Sequence, residues 1–223
     1  MEQSDRKLLG ELLPFWDKLK EPEKKQILDH TMLNTYQDGQ NIHGGYEDCT
    51  GVVAVKSGRI RVYLLSEEGK EVTLYRLLDR DVCLLSASCI MRNISFDIYM
   101  DAEGPTELFV VNSAVYDKIA KENPAVGSFM TELISMRFSE AMWVMEQILF
   151  MKLDKRLAMF LLEQANLENG DTITLTHEQI AGHMGSAREV ISRMLKYFSN
   201  EGILSVSRKG IKILDRKKLT EFV

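Results

Sequence analysis

The stretch Leu175–Leu204, LTHEQIAGHMGSAREVISRMLKYFSNEGIL, decides the reading of this chain. Thr176 and Gln179 spell a capping box, T-x-x-Q, in which each side chain satisfies a backbone N–H of the other. They open a short helix that runs through Met184. Gly185 supplies a tight turn. Ser186 with Glu189 spells a second capping box and opens a second helix through about Asn200. Two helices joined by a short glycine turn form a helix-turn-helix. Its expected core is Ile180, Val190, Met194 and Leu195, with the small Ala181 keeping the helices close.

The other face of the second helix carries Arg188, Glu189, Ser192, Arg193 and Lys196. In such a motif the first turns of the second helix reach base edges in the major groove. An arginine can bond both acceptors of guanine, and a glutamate can accept from the cytosine amino group. Glu189 also has a simpler reading as a cap alone, and the Arg and Lys positions as a solvated helix face. Lys196 is expected on a phosphate. Thr176, His177 and Ser186, at the helix starts, are further candidate DNA contacts, with His177 placed to meet a phosphate. His183 on the same helix is given no role. Beyond Gly202, ILSVSRKGIKILD reads as two short strands around Arg208-Lys209-Gly210. This is a wing whose Arg208 and Lys209 reach phosphates or the minor groove, or else a plain basic turn.

Composition sets the frame. The chain has 223 residues, 45% hydrophobic and 27% charged, enough for two domains of ordinary globular type. The net charge is −5, which by itself argues against nucleic acid. Its distribution points the other way. From Lys152 onward there are twelve Lys/Arg against nine Asp/Glu, a net of +3, which leaves −8 for the preceding part. A basic last third on an acidic body suits a chain of which only that third meets phosphates. No apolar run reaches the ~20 residues of a membrane span, and MEQSDRKLLGELLPFWDKLK lacks an apolar signal core, so the expected location is cytoplasmic, without membrane contact. Three cysteines, Cys49, Cys83 and Cys89, make no paired framework and suggest a reduced compartment.

Upstream, residues to about 32 have helical spacing broken by Pro14 and Pro22. From Tyr36 to Val111 the period shifts toward two. Turns fall at Gly58 and Glu68-Gly69-Lys70, as in an antiparallel roll or barrel. Asn123-Pro124 then caps and opens a helix that reaches about Lys152. Along it Ile134, Phe138, Ala141, Met145 and Ile148 recur at alternating spacings of four and three, a coiled-coil seam. One amphipathic helix packed on its own domain is the plainer reading. The length and a second apolar face (Leu133, Met136, Trp143, Phe150) favour two partners, the roll on one side and a twin subunit on the other. Asp154 is the expected cap of the next helix, which ends at Asn169-Gly170, and Lys152–Asp154 is the candidate hinge.

This layout resembles the CRP/FNR family of bacterial transcription regulators from about Tyr36 to Leu219. The matching stretches are VKSGRIRVY and EEGKEVTLY in the roll, Asn123-Pro124, and SAREVISRMLK. The last contains E-x-x-S-R (Glu189, Ser192, Arg193), similar to the FNR-type reading motif, preceded by Arg188 as in the CRP type. The resemblance implies an α+β fold. A jelly-roll, cyclic-nucleotide-binding-like effector domain would span 1–122, a dimerisation helix 123–152 and a winged helix-turn-helix domain 153–223. It also implies a homodimer on a palindromic site of double-stranded DNA with TTGA- or TGTGA-like half-sites, and contact with RNA polymerase.

The family's sensor chemistry transfers poorly. Its cyclic-nucleotide binders carry Gly-Glu followed by Arg-Ser. Here Leu84-Leu85 and Ile94-Ser95 stand in those places, with Arg92 out of register and the apolar Ala141 and Met142 where a nucleobase would lie. Loss of the arginine removes the bidentate phosphate partner, so cyclic AMP is not expected and the effector is unassigned. A four-cysteine iron–sulfur cluster needs more thiolates than the chain has. Haem on His43 with Cys49 or Cys83, or a thiol switch through Cys83 and Cys89, is the alternative signal. The bland reading is a surface His43 and buried reduced cysteines. An enzyme or metal carrier on the roll lacks ligands, since His43 is the roll's one histidine, and no nucleophile–base pair or phosphate loop stands out. No catalytic or metal residue is assigned. The expected mechanism is a signal that shifts the long helix or hinge, and with it the spacing of two reading heads.

Overall fold

The protein is described from a computed structural model, in which residues 1–45, 49–84, 87 and 96–223 are defined. It divides into an N-terminal unit, 1–65 with 74–141, and a C-terminal unit, 66–73 with 142–223. Leu85, Cys89, Arg92, Ile94 and Ser95, which bear on the expectations about cyclic nucleotide and thiols, lie outside the described residues.

In the N-terminal unit, helices α1 (Gln3–Leu12) and α2 (Glu21–Asp29) flank a single 3-10 turn, Trp16–Lys18. Pro14 separates the first two and Pro22 sits in the first turn of α2, where its missing N–H is harmless. Among the described residues eight strands follow: β1 (Thr31–Tyr36), β2 (Asn41–Gly44), β3 (Val52–Ser57), β4 (Ile60–Leu65), β5 (Glu71–Leu77), β6 (Val82–Cys83), β7 (Tyr99–Ala102) and β8 (Thr106–Val111). They make two four-stranded sheets, ordered β1-β8-β3-β6 and β2-β7-β4-β5. The described pairings are antiparallel, as in Thr31↔Val111 and Val62↔Met100. The roll begins at Thr31, earlier than the periodicity suggested.

Alternation along β3 and β8 explains how the sheets pack. Val53, Val55, Leu108 and Val110 point into the core between the sheets, beside Ile60, Val62, Leu77 and Met100. Val52, Ala54, Phe109 and Val111 point to the other side, against Leu9, Leu13, Phe15, Ile27 and Tyr116. Side chains two apart share a face, so Val52–Val55 of β3 and Leu108–Val111 of β8 are unbroken apolar runs because both faces are covered there.

Helix α3 (Ser113–Glu122), absent from the sequence reading, starts where Asn112 Oδ1 accepts the Val115 N–H at 3.2 Å. Asn123 then caps α4 (Pro124–Phe150), its Oδ1 accepting from Ala125 N at 3.1 Å. The 27 residues of α4 extend roughly 40 Å at the helical rise. Val126, Leu133 and Arg137 are its buried residues. Of the apolar face expected on the roll, only Leu133 is buried. Met136, Trp143 and Phe150 are exposed, and Arg137 is the other buried residue on this stretch of the helix.

The Arg137 guanidinium lies 4.5 Å from the Tyr75 ring centroid. Its Nη1 donates to Glu140 at 2.8 Å and its Nη2 to the Val82 carbonyl at 3.2 Å. Burial works against this charge most, but the Glu140 hydrogen bond and charge, together with Tyr75 and Cys83, more than offset it and hold the pKa above the ordinary arginine value. Burial likewise pushes the Tyr75 phenol well above its usual range, and its hydroxyl sits 3.8 Å from Cys83 Sγ.

Two expectations about the roll are corrected. His43 is no surface residue: it is 1% exposed on β2, with Nδ1 2.9 Å from Thr50 Oγ1. Inward strand positions accept a histidine once a ring nitrogen is bonded. Cys83 is buried and free, as expected, whereas Cys49 is exposed and disulfide-bonded. An accessible thiol is open to oxidation in a way that a buried one is not.

The C-terminal unit holds α5 (Leu153–Leu167), β9 (Thr172–Ile173), α6 (His177–Met184), α7 (Arg188–Asn200), β10 (Leu204–Ser207), β11 (Gly210–Ile213) and α8 (Arg216–Thr220). Lys152, not Asp154, is the N-cap position of α5, and Asp154 lies in its first turn. The sheet is three-stranded, β10-β11-β9, so the wing hairpin is backed by a strand the sequence did not announce. Gly210, at φ +125°, lies so close to the Ile173 carbonyl that no Cβ would fit. One core joins Leu157 and Leu161 of α5, Ile180 and Ala181 of α6, Ile191, Leu195 and Phe198 of α7, and Ile211 and Ile213 of the wing. No described helix is long and apolar enough to cross a membrane.

Candidate nucleic-acid interface

The first turn of α6 is built as its sequence predicts. Thr176 Oγ1 accepts from Gln179 N at 3.2 Å, and Gln179 Oε1 accepts from Thr176 N at 2.8 Å. The Thr176 oxygen thus serves the cap as an acceptor. Gln164, buried on α5, donates to Glu168 at 2.8 Å, and the other Glu168 oxygen accepts from the Thr174 N–H and hydroxyl. These bonds fix the loop that delivers Thr176.

Helix α6 ends at Gly185 in the left-handed conformation, φ 62° and ψ 38°. Its neighbour Ser186 donates its N–H back to the Ala181 carbonyl at 3.0 Å, the outer bond of a Schellman closure. Ser186 thus closes the first helix through its backbone N–H. The expected Ser186–Glu189 capping box is absent. Ala187 is the N-cap position, without a side-chain bond, and α7 starts at Arg188. Arg156 of α5 donates from Nη2 to the Met184 carbonyl at 2.6 Å. A cation at a helix C-terminus meets the negative end of the dipole. Burial lowers this guanidinium's pKa. No sequence signal marked Arg156. The only hint was that carbonyls before a glycine C-cap need donors.

The unit also includes residues 66–73. Val72 packs against Gly185, Thr73 Oγ1 lies 2.9 Å from His183 Nδ1, and the His183 ring faces Phe160. His183, unassigned from sequence, is thereby a buried packing residue.

Packing sets the phase of α7. Ile191, Leu195 and Phe198 are buried at spacings of four and three, while Val190 and Met194 are only half-buried, which corrects the expected core. Fully burying a side chain of this size contributes about 1.5–3 kcal/mol, so three of them determine which edge remains outside. That edge holds Arg188, Glu189, Arg193 and Lys196, all exposed, with Ser192 half-buried among them. At 3.6 residues per turn the five span roughly 140° of the helix. Arg188 Nε is 3.9 Å from Glu178 of α6, both side chains well exposed. This contact is loose, of the kind worth about 0–1 kcal/mol and readily exchanged. His177 Nδ1 is 2.9 Å from Ser192 Oγ. Arg208 and Lys209 are exposed at the wing tip, where Ser207 Oγ accepts from Lys209 N at 3.2 Å. Ser186 is half-buried in the turn.

On α4, Phe138, Met145 and Ile148 of the expected seam are exposed, and Ile134 and Ala141 half-buried. Phe138 is 66% and Phe150 80% exposed.

Comparison with known proteins adds the following. The Crp-like helix-turn-helix domain family matches residues 155–222. A solved structure from Eubacterium rectale, assigned to the CRP/FNR family of transcriptional regulators, is 47% identical. It covers 95% of this chain and 98% of its own, with a TM-score of 0.93. The cAMP-activated global transcriptional regulator CRP of Pasteurella multocida is 22% identical over 86% of this chain and 94% of its own. FixK2 of Bradyrhizobium japonicum, at 21% identity and a TM-score of 0.65 over 86% of this chain and 96% of its own, shares the fold.

Proposed function

The chain belongs to the CRP/FNR family of transcription regulators, and from that premise we propose that it reads a palindromic DNA site as a homodimer. The observation that carries this reading is the exposed edge of α7, where Arg188, Glu189, Ser192, Arg193 and Lys196 stand together beside the Gly185 turn. Arginine and glutamate there match the acceptors of guanine and the amino group of cytosine. Lys196 and the wing residues Arg208 and Lys209 supply phosphate contacts. His177 and the first N–H groups of α6 meet a phosphate at the positive end of that helix.

Pairing proceeds through the apolar row Ile134, Phe138, Ala141, Met145 and Ile148. A two-fold axis along α4 sets two α7 helices about one DNA turn apart, ~34 Å. RNA polymerase is the partner through which binding becomes regulation. The roll takes the signal and biases one arrangement of the paired heads over another. Leu84-Leu85 in place of Gly-Glu argues against cyclic AMP as that signal. One observation favours a thiol–disulfide input: Cys49 is exposed and disulfide-bonded.

The test is selection of bound sequences from random duplex DNA by the full chain, with and without reductant and with and without cell extract. The expected result is an inverted repeat with half-site centres ~10 base pairs apart. Enrichment of no sequence, or of an unrepeated one, overturns the reading. Dependence on reductant assigns the signal to the disulfide, and dependence on extract alone assigns it to a small molecule.

A further inference from the structure

A serine in a groove is an ambiguous reader. Its hydroxyl both donates and accepts, so it can serve any base edge. Ser192 is not left free in that way. Its Oγ lies 2.9 Å from Nδ1 of His177, the first residue of α6. The His177 backbone is fixed by the reciprocal Thr176–Gln179 cap, and α6 is packed on α7 through Ile180, Ala181, Ile191 and Leu195. His177 and Ser192 are each half-buried. Beside them Glu178 reaches Arg188. The first turn of α6 therefore touches two of the five side chains on the reading edge.

The bond has two polarities. If Nδ1 carries the ring proton, Ser192 must accept it and turns its own O–H outward, toward guanine or thymine oxygen. If Nδ1 is bare, the Ser192 O–H points inward and an oxygen lone pair faces the groove. The second ring nitrogen chooses between them. On the reading above, which this inference rests on, His177 faces a phosphate. A phosphate oxygen needs a donor, so in the neutral ring the proton belongs on Nε2 and Nδ1 is left to accept.

We propose that His177 is a specificity-determining positioning residue. Its Nδ1 accepts the hydrogen bond of the Ser192 hydroxyl, so that Ser192 meets DNA as an acceptor for the exocyclic amino group of adenine or cytosine. The order of donors is then continuous, from base amino group to Ser192 oxygen, from Ser192 hydroxyl to Nδ1, and from Nε2 to phosphate.

The experiment measures affinity of the full chain for its selected operator by fluorescence anisotropy. A panel of operators carries purine for adenine or 2-pyrimidinone for cytosine at one position at a time, which deletes a single amino group. In the native chain one such deletion that depends on Ser192 should cost about 2–10-fold. Ser192→Ala should abolish that cost and leave the sensitivity of other positions intact. His177→Phe should abolish the same cost, and the double variant should behave as either single one. His177→Gln puts an amide where Nε2 stood and nothing where Nδ1 stood. It should keep most of the overall affinity and still lose discrimination at that position. Thermal melts confirm that each variant folds.

If His177→Phe and His177→Gln weaken every operator alike while the amino-group dependence persists, His177 is a phosphate or packing contact only and the proposal is overturned. If Ser192→Ala leaves all amino-group dependences in place, Ser192 is no base reader, and the assignment of that residue falls together with the proposal.

Discussion

Helix α7 hides Ile191, Leu195 and Phe198 and turns Arg188, Glu189, Arg193 and Lys196 to solvent, whereas α4 hides Arg137 beside Leu133 and leaves Phe138, Leu149 and Phe150 exposed. The outer face of α7 is at ease in water, and its residue types matter only through what they meet. The outer face of α4 is not at ease. Apolar surface in water costs about 25 cal/mol per Å², and a contiguous row of it marks an interaction site. The same chain thus presents one face suited to a polyanion and one suited to another apolar face. The chemistry of what each helix buries indicates which is which.

This contrast can be broken at several points. The largest effect is expected on α4. Phe138→Asp places two carboxylates opposite each other at a two-fold seam and should weaken self-association at least about 100-fold, roughly 2.7 kcal/mol, by sedimentation equilibrium. An unchanged mass would put the seam elsewhere. Next is the inner side of the same helix. Arg137→Ala leaves Glu140 without its cation and empties the space over Tyr75. The half-exposed Glu140 keeps the expected loss to about 2–3 kcal/mol in urea unfolding. Arg137→Met, which fills the volume without the charge, should recover most of it. If both variants match the native chain, Arg137 is not what α4 packs with.

On α7, Arg193→Ala should cost about 1–3 kcal/mol of operator affinity and relax choice at one base pair. Equal loss on every sequence would make it a phosphate contact. The smallest effect belongs to Lys196→Ala. It should weaken all duplexes alike and lower the slope of log affinity against log salt by about 1.

The reading head was legible because its signals are local. Thr176 with Gln179, and Gly185 after Met184, each act within a turn of their own position. The start of α7 was displaced because Ser186 can serve either helix and only the closed structure shows which one takes it. The core phase was ambiguous for a related reason. Apolar residues stand at 190, 191, 194 and 195, so two neighbouring faces fit the period. Packing against Leu161 and Ile211 decides for Ile191 and Leu195. Arg137 was illegible, since an arginine between Met136 and Phe138 reads as a solvent position. Its burial depends on Tyr75 and Val82, distant in sequence. The two-residue strand β9 has no pattern of its own and exists through its pairing with Ile211 and Lys212.

The eight residues 66–73, grouped with the C-terminal unit and set against Gly185 and His183, carry a consequence for modular exchange. Regulators of this kind invite chimeras in which one reading head replaces another. A crossover between Ala141 and Met142 would transplant an incomplete part, leaving Val72 and Thr73 behind to meet a foreign turn. Transferring DNA specificity by rewriting the five outward side chains of α7 respects that boundary. A graft of the whole head needs the hairpin tip as well.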